Sequence, residues 1–489
     1  MRNTIRFYRR GRLIERSDLP PDRTLLDYLR LDERSTGTKE GCAEGDCGAC
    51  TVVLRRLRAG RVVYEPVNAC IMLAGQADGA DVITVEDLAG DTLHPVQQAM
   101  VDKHGSQCGF CTPGFVMALF ALYHEPGAAN RSDVIEAISG NLCRCTGYRP
   151  IVDAGLAACA GKPNDRFTRD EQKMSGHLRA IADHKDIFIG SDERFFAAPV
   201  SVENLAALYL KHPDATLVAG TTDVGLWITK ELRDLPKLIW LGRVTGLDRI
   251  EDRDDSLHIG ATVRVEDATP ALAAIDSDLG ELIRRFAGWQ VRNAATIGGN
   301  IANGSPIGDM PPALIALGAM LELQKGGRTR TMPLEDYFLD YKKQDRAPGE
   351  FVRAVTVPKL GKEEQFRCFK LSKRYDQDIS AVMGAIKLRI GSGKIAEARI
   401  AFGGMAATPK RAGAAEAKLR GLSVKDESAV HLALAALGDD FKPLDDMRAS
   451  ADYRLEAAKA LVAKAVAEIA GVPSTATRVF GARSDAHAA

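Results

Sequence analysis

Gly41-Cys42-Ala43-Glu44-Gly45-Asp46-Cys47-Gly48-Ala49-Cys50, with Cys70 further along, is the stretch from which the rest of the chain is read. Its spacing is C-x₄-C-x₂-C followed by a distant fourth cysteine, the ligation pattern of plant-type [2Fe–2S] clusters. A second set follows: Cys108-Gly-Phe-Cys111, then Cys143-Arg-Cys145, two close pairs separated by a helix-sized spacer. Eight thiolates in two sets of four suit two iron–sulfur clusters, and so a protein that moves single electrons. Gly41, Gly45 and Gly48 let backbone N–H groups fold inward toward sulfur, and hydrogen bonds to sulfur tune a cluster's potential.

Two other uses of these cysteines compete with iron ligation. Disulfides need an oxidising compartment. The N-terminus, Met-Arg-Asn-Thr-Ile-Arg-Phe-Tyr-Arg-Arg, has neither an apolar core nor a small-residue cleavage site, so a cytoplasmic protein is expected. Structural zinc also uses four cysteines in C-x₂-C pairs and stays open for the second set. Cys159 and Cys368 read as buried thiols. Lys plus Arg and Asp plus Glu both number 65, which argues against a nucleic-acid partner. No apolar run approaches the roughly 20 residues of a spanning helix, so no membrane partner is expected.

At 489 residues several domains are expected. Residues 1–86 alternate as short strands (5–8, 12–14, 50–54, 80–86) around one short helix (25–31). That is a β-grasp ferredoxin-type domain, with the Gly/Cys loop at its rim. Residues 87–160 turn helical (94–103, 116–123, 134–139), with Ser132-Asp133 as a helix cap. Cys108 and Cys111 precede one helix and Cys143 and Cys145 follow another, so the four sulfurs can meet at the ends of a small helical bundle. Residues 161–188 are polar and mixed in charge and read as a linker.

Two Gly-rich segments follow. In 217–225, Leu-Val-Ala-Gly-Thr-Thr-Asp-Val-Gly, a strand runs into a turn of small residues where backbone N–H groups could cradle a pyrophosphate; a plain strand-to-helix turn reads equally well. In 295–309, Gly298, Gly299 and Gly304 lie among Thr296, Asn300, Asn303, Ser305 and Asp309, more short donors and acceptors than a structural loop needs. Gly391-Ser-Gly393-Lys-Ile-Ala396 fits a dinucleotide fingerprint. The residues after it alternate like a strand rather than a helix, so a hairpin turn is expected there.

Gln107-Cys-Gly-Phe-Cys-Thr-Pro-Gly114 and Asn141-Leu-Cys-Arg-Cys-Thr-Gly-Tyr-Arg-Pro150 resemble the second-cluster signatures of the molybdenum hydroxylases, the group of xanthine dehydrogenase, aldehyde oxidase and carbon monoxide dehydrogenase. Residues 40–50 are similar to that family's first-cluster loop. The resemblance implies a multidomain α+β chain with four domains: a β-grasp [2Fe–2S] ferredoxin domain (1–86), a helical-bundle [2Fe–2S] domain (87–160), a non-Rossmann α+β FAD-binding domain (189–362) and an α+β flavoprotein C-terminal domain (363–475). It implies Cys42, Cys47, Cys50 and Cys70 for one cluster and Cys108, Cys111, Cys143 and Cys145 for the other. For FAD it implies Leu217, Val218, Ala219, Gly220, Thr221, Thr222, Asp223 and Val224 at the pyrophosphate. Thr296, Gly299, Asn300, Asn303 and Asp309 would touch ribityl, phosphate or adenosine groups.

Phe286 matches the aromatic position flanking the flavin nucleotide, and Val352 and Lys370 match two further contacts. Ordinary core for Phe286 and a solvated edge-strand lysine for Lys370 are the plain alternatives. In the last domain, strands at 380–390 and 394–402, a helix from 411 and a long helix at 455–469 are expected. Lys373-Arg-Tyr-Asp-Gln-Asp378 resembles a loop beside the nicotinamide site, and reads equally as a solvated charge run.

Eukaryotic-type members continue into a large molybdopterin domain, whereas this sequence stops at Ala489. By resemblance the molybdopterin would sit on a partner large subunit, in an α2β2 complex, with Gln107 and Cys145 nearest to it. Both cluster domains fused to the FAD domain point to the xanthine-oxidising branch, which passes electrons from hypoxanthine or xanthine through both clusters to FAD and then NAD⁺. The alternatives are another molybdenum hydroxylase, acting on aldehydes or N-heterocycles, and a stand-alone flavin–iron–sulfur reductase.

Overall fold

A computed structural model describes residues 1–479, which divide into two compact units. The first comprises Met1–Leu205, Asp214–Thr245 and Ala287–Ala295. The second comprises Ala206–Pro213, Gly246–Phe286 and the chain from Thr296 onward.

The first unit opens with a five-stranded mixed sheet in the order Arg12–Arg16, Ile5–Arg9, Asp81–Ile83, Thr51–Arg58, Arg61–Asn68. Two of its joints are two-residue turns, Arg10-Gly11 and Ala59-Gly60, with every φ positive, the turn geometry that matches strand twist. The strand expected over 80–86 ends at Ile83, and 85–87 is a 3₁₀ turn. Thr24 caps the short helix Leu25–Asp27 by accepting from the Asp27 amide, and one turn of π-helix, Tyr28–Asp32, continues it. Leu25, Leu26 and Leu29 are buried against the sheet. This is the β-grasp arrangement.

Four helices form the bundle: Pro95–Asp102, Thr112–Tyr123, Arg131–Ile138 and Arg149–Ala158. Thr112–Tyr123 is its centre, with residues 114–123 all buried. The third helix starts at Arg131, earlier than expected. Its cap is Asn130, which accepts from the Ser132 and Asp133 amides, while Asp133 reaches back to the Asn130 amide.

Residues 161–188, read from sequence as a linker, carry the helices Arg166–Arg169 and Glu171–Ile181. Met174, Leu178 and Ile181 pack with Tyr8 of the β-grasp sheet, so an apolar face was hidden among charges. A four-stranded sheet follows in the order Ile187–Gly190, Phe195–Ala198, Lys237–Trp240, Thr216–Val218.

The second unit holds an antiparallel sheet in the order Ile250–Asp252, Ser256–Gly260, Glu350–Pro358, Met320–Lys325, Arg328–Pro333, and a four-stranded sheet built from Glu364–Leu371, Val382–Gly391, Lys394–Gly403 and Lys410–Arg411. The buried helix Met310–Leu317 packs on Val382–Gly391 and Lys394–Gly403. The long helix Ala451–Ile469 starts at the Ser450 cap, and the short helix Ser474–Thr477 follows it. Gly391-Ser-Gly393 is the expected hairpin turn, pairing Gly391 with Lys394. No helix among the described residues is long and apolar enough to cross a membrane.

Candidate cluster and flavin sites

The first cysteine set converges at the rim of the β-grasp sheet. Cys50 ends the loop just before strand Thr51–Arg58, and its Sγ lies 3.2 Å from that of Cys70. Both are buried, while Cys42 and Cys47 are half-buried. The loop holds its shape through positive φ at Ala43, Gly45 and Gly48. The Cys42 sulfur accepts from the amides of Glu44 (3.4 Å) and Cys47 (3.3 Å). Asn68 ties the loop down by donating to the Gly45 carbonyl at 2.8 Å.

The thiols also perturb one another. The neighbouring Cys47 and Cys70 thiols, with those two amides, hold Cys42 far below the ordinary thiol range. Cys47 is pushed up by Cys42 and by burial, and Cys70 by Cys42 and Cys50. Sulfurs packed this tightly cannot all ionise beside one another without a cation among them, which is what a metal centre supplies.

The second set lies at the helix ends of the bundle. Cys111 leads into Thr112–Tyr123, and Cys143 and Cys145 follow Arg131–Ile138. The Cys143 sulfur accepts from the amides of Cys145 and Thr146, both at 3.4 Å, and its own amide donates to the Tyr148 hydroxyl at 2.9 Å. Burial and the Cys143 neighbour push the Cys111 thiol up to about 12. Cys143 is lowered by the Thr146 hydroxyl and the two amides, against its own burial. Cys145, fully exposed, is raised by Cys108.

The two cysteine loops meet within the first unit. The Leu142 amide, one residue before Cys143, donates to the Cys47 carbonyl at 2.9 Å. Gly48 and Gly114 are required here: a Cβ on Gly48 would lie 2.2 Å from the Gly140 carbonyl, and one on Gly114 would lie 2.1 Å from the Gly48 carbonyl. Thr229 donates to the Ala43 carbonyl at 2.6 Å and Lys230 to that of Cys42 at 3.2 Å, so the helix after the 217–224 turn seats against the first cysteine loop.

The flavin candidates divide between the units. In the first, Leu217 and Val218 end strand Thr216–Val218, and Val218 is buried. Thr221 takes φ +59° and donates to Gln76 Oε1 at 2.9 Å, while Gln76 Nε2 donates to the Ala219 carbonyl at 2.8 Å. A Cβ on Gly220 would lie 1.9 Å from the Ala294 carbonyl. Thr222 and Val224 are half-buried, and Asp223 is exposed.

In the second unit, Thr296 caps the helix Ile297–Asn303 by accepting from the Gly299 amide at 3.0 Å. Asn300 Oδ1 is buried with no partner, an orphan acceptor that suits a polar ligand group. Asn303 lies in the last turn of that helix. Asp309 is buried. It pairs with Lys370 through one oxygen, and its other oxygen accepts from the Ser380 hydroxyl at 2.5 Å. Lys370 is therefore buried, not solvated. Val352 is a buried sheet residue paired with Leu323, and Phe286 is half-buried just beyond helix Ser277–Arg284.

Sequence reasoning missed Gln76, Gln290 and Asn68. Each is an ordinary amide in its local sequence, and nothing there signals its distant partner.

Family profiles match in this order: the 2Fe-2S iron-sulfur cluster binding domain over residues 12–75, the [2Fe-2S] binding domain over 84–156, the FAD binding domain in molybdopterin dehydrogenase over 191–360, and the CO dehydrogenase flavoprotein C-terminal domain over 367–469. A solved carbon monoxide dehydrogenase chain from Hydrogenophaga pseudoflava is 30% identical, with TM-score 0.53, covering 55% of this chain and 95% of that one. The chain belongs to the molybdenum hydroxylase family and carries two [2Fe–2S] domains and an FAD-binding domain of that family.

Xanthine dehydrogenase of Drosophila pseudoobscura pseudoobscura is 33% identical over 82% of this chain and 34% of its own length. That of Emericella nidulans is 32% identical over 90% and 36%. The chain spans about a third of the length of these curated relatives. Quinoline 2-oxidoreductase from Pseudomonas putida 86 is 26% identical, with TM-score 0.51, over 56% of this chain and 95% of that one.

Proposed function

We propose that this chain is the iron–sulfur and flavin subunit of a bacterial xanthine dehydrogenase, a cytoplasmic protein paired with a molybdopterin-binding large subunit in an α2β2 complex. In this reading Cys42, Cys47, Cys50 and Cys70 hold one [2Fe–2S] cluster and Cys108, Cys111, Cys143 and Cys145 the other. The segments 217–224 and 296–309, with Phe286, Val352 and Lys370, hold FAD. When bound, these groups would carry electrons singly between a molybdenum centre and a flavin that reduces NAD⁺.

The observation that carries the reading is the junction of the two cysteine loops. The Leu142 amide joins a neighbour of Cys143 directly to Cys47 through one hydrogen bond. The first loop in turn receives Thr229 and Lys230 from just beyond the 217–224 turn. The residues thus line up in the order second cluster, first cluster, pyrophosphate turn. The exposed Cys108 and Cys145 leave the outer end of that line open to a partner.

The chain's own work is to hold thiolates with inward-facing amides and to keep the inner pair, Cys50 and Cys70, from water. A molybdenum hydroxylase acting on an N-heterocycle is the second reading, favoured by the likeness to quinoline 2-oxidoreductase.

Anaerobic reduction of the copurified complex, read by visible and EPR spectra with metal analysis, tests the proposal. About four iron and four acid-labile sulfide per chain, as two [2Fe–2S] clusters require, two EPR signals, and a flavin band that bleaches on adding xanthine and returns on adding NAD⁺ are expected. Stoichiometric zinc in place of iron would overturn it. Bleaching by quinoline but not xanthine would favour the second reading.

A further inference from the structure

A short helix that belongs to neither cysteine motif reaches into the junction of the two loops. Trp289–Arg292 lies within the first unit, in the segment just before the 296–309 loop. Its Gln290 is 1% exposed. Gln290 Nε2 donates to Asn141 Oδ1 at 2.8 Å and to Thr51 Oγ1 at 3.2 Å. Asn141 Nδ2 donates to the Gly48 carbonyl at 3.0 Å, and the Thr51 hydroxyl donates to the same carbonyl at 2.7 Å. Gly48 lies between Cys47 and Cys50, Thr51 follows Cys50, and Asn141 lies two residues before Cys143.

One buried amide thus addresses both cysteine loops at once. Its fit is tight on the other side too. A Cβ on Gly140 would lie 1.9 Å from Gln290 Oε1, and one on Gly288 would lie 2.4 Å from the Gly140 Cα. The helix itself is anchored by Arg292 on Glu136 at 2.9 Å and by Asn293 on the Pro66 carbonyl at 3.3 Å.

We propose that Gln290 is a positioning residue that sets the spacing and orientation of the two clusters relative to one another. It does so by locking Asn141 and Thr51 and so preserving the Leu142–Cys47 hydrogen bond. The inference rests on the cluster reading above. Local packing could hold each loop separately. The Leu142–Cys47 and Asn141–Gly48 hydrogen bonds join the loops directly, Gln290 braces both sides of that junction, and electron transfer between centres depends on their separation and on the bonded path between them. A buried amide donor released from its partners has no water to turn to, so it holds its geometry firmly.

The test uses the complete protein with its clusters and flavin. Gln290→Met keeps length and volume and removes both donors. Iron and sulfide content and both EPR signals should be retained. Deuterium exchange at the Leu142 amide should quicken about tenfold, the worth of one to two hydrogen bonds. The spin–spin interaction between the two reduced clusters should change.

Unchanged spin–spin interaction in a variant that keeps its iron would overturn the proposal, whatever happened to its melting temperature. Should Gln290→Met not assemble, Thr51→Val removes the shared hydroxyl and is read in the same way. Loss of iron from both variants also overturns it, because the network would then hold the fold rather than the spacing. A parent protein without iron would instead sink the cluster reading itself.

Discussion

Asp309 and Lys370 form a buried ion pair whose two side chains are 5% and 2% exposed, with the Ser380 hydroxyl on the second carboxylate oxygen. Asp309→Ala leaves the Lys370 ammonium without a counter-charge in a site closed to water. Breaking a buried pair from one side costs about 3–5 kcal/mol. For a unit of this size each kcal/mol moves the melting midpoint by about 2–4 °C, so a fall of roughly 6–20 °C is expected in the second unit.

The double variant Asp309→Leu, Lys370→Met replaces the pair with apolar groups and should recover most of that loss, since desolvation of both charges is then avoided. Flavin should not return with it if the pair also addresses the cofactor. The assay is differential scanning calorimetry together with flavin content after gel filtration. An unshifted midpoint in Asp309→Ala would refute the ion-pair argument. Full flavin retention in the stable double variant would refute the assignment of Asp309 and Lys370 to FAD.

Gly48→Ala should prevent the cysteine loops from meeting, because its Cβ would strike the Gly140 carbonyl at 2.2 Å and its φ is +67°; iron content per chain is the measurement, and full loading would contradict it. Cys143→Ser should abolish electron flow from substrate to NAD⁺ while leaving NADH-driven dye reduction at the flavin, and equal loss of both in a flavinated protein would reverse the proposed order.

His124, stacked on Tyr64 with ring centroids 3.8 Å apart, is lowered by burial against the pull of Asp165. The unfolded chain therefore binds more protons below about pH 6.5. Stability should fall as pH drops through that range, and Asp165, held far down by His124 and His94 against its own burial, adds a further loss below about pH 4. His124→Phe should flatten the change in melting midpoint between pH 8 and 6, and an unaltered slope would refute the assignment.

The spacing of the first cysteine set by itself pointed to [2Fe–2S] chemistry, while the second set and the order of the modules were read through the family's motifs. Ligation needs particular atoms at particular intervals, and those intervals are written in the chain. The β-grasp strands and the hairpin at Gly391-Ser-Gly393 were legible for the same local reason, since alternation and turn chemistry act over a few residues.

Residues 161–188 were not legible. Met174, Leu178 and Ile181 form an apolar face only once a sheet exists to receive it, and the surrounding charges masked it. Nor could the sequence show that Asp309 and Lys370 are partners, or that Gln290 joins Asn141 to Thr51, because these side chains lie 61, 149 and 239 residues apart. Such contacts cost chain entropy to close and are held only by burial. Tertiary packing alone decided which amides and charges meet, and so how the two cysteine loops are held together.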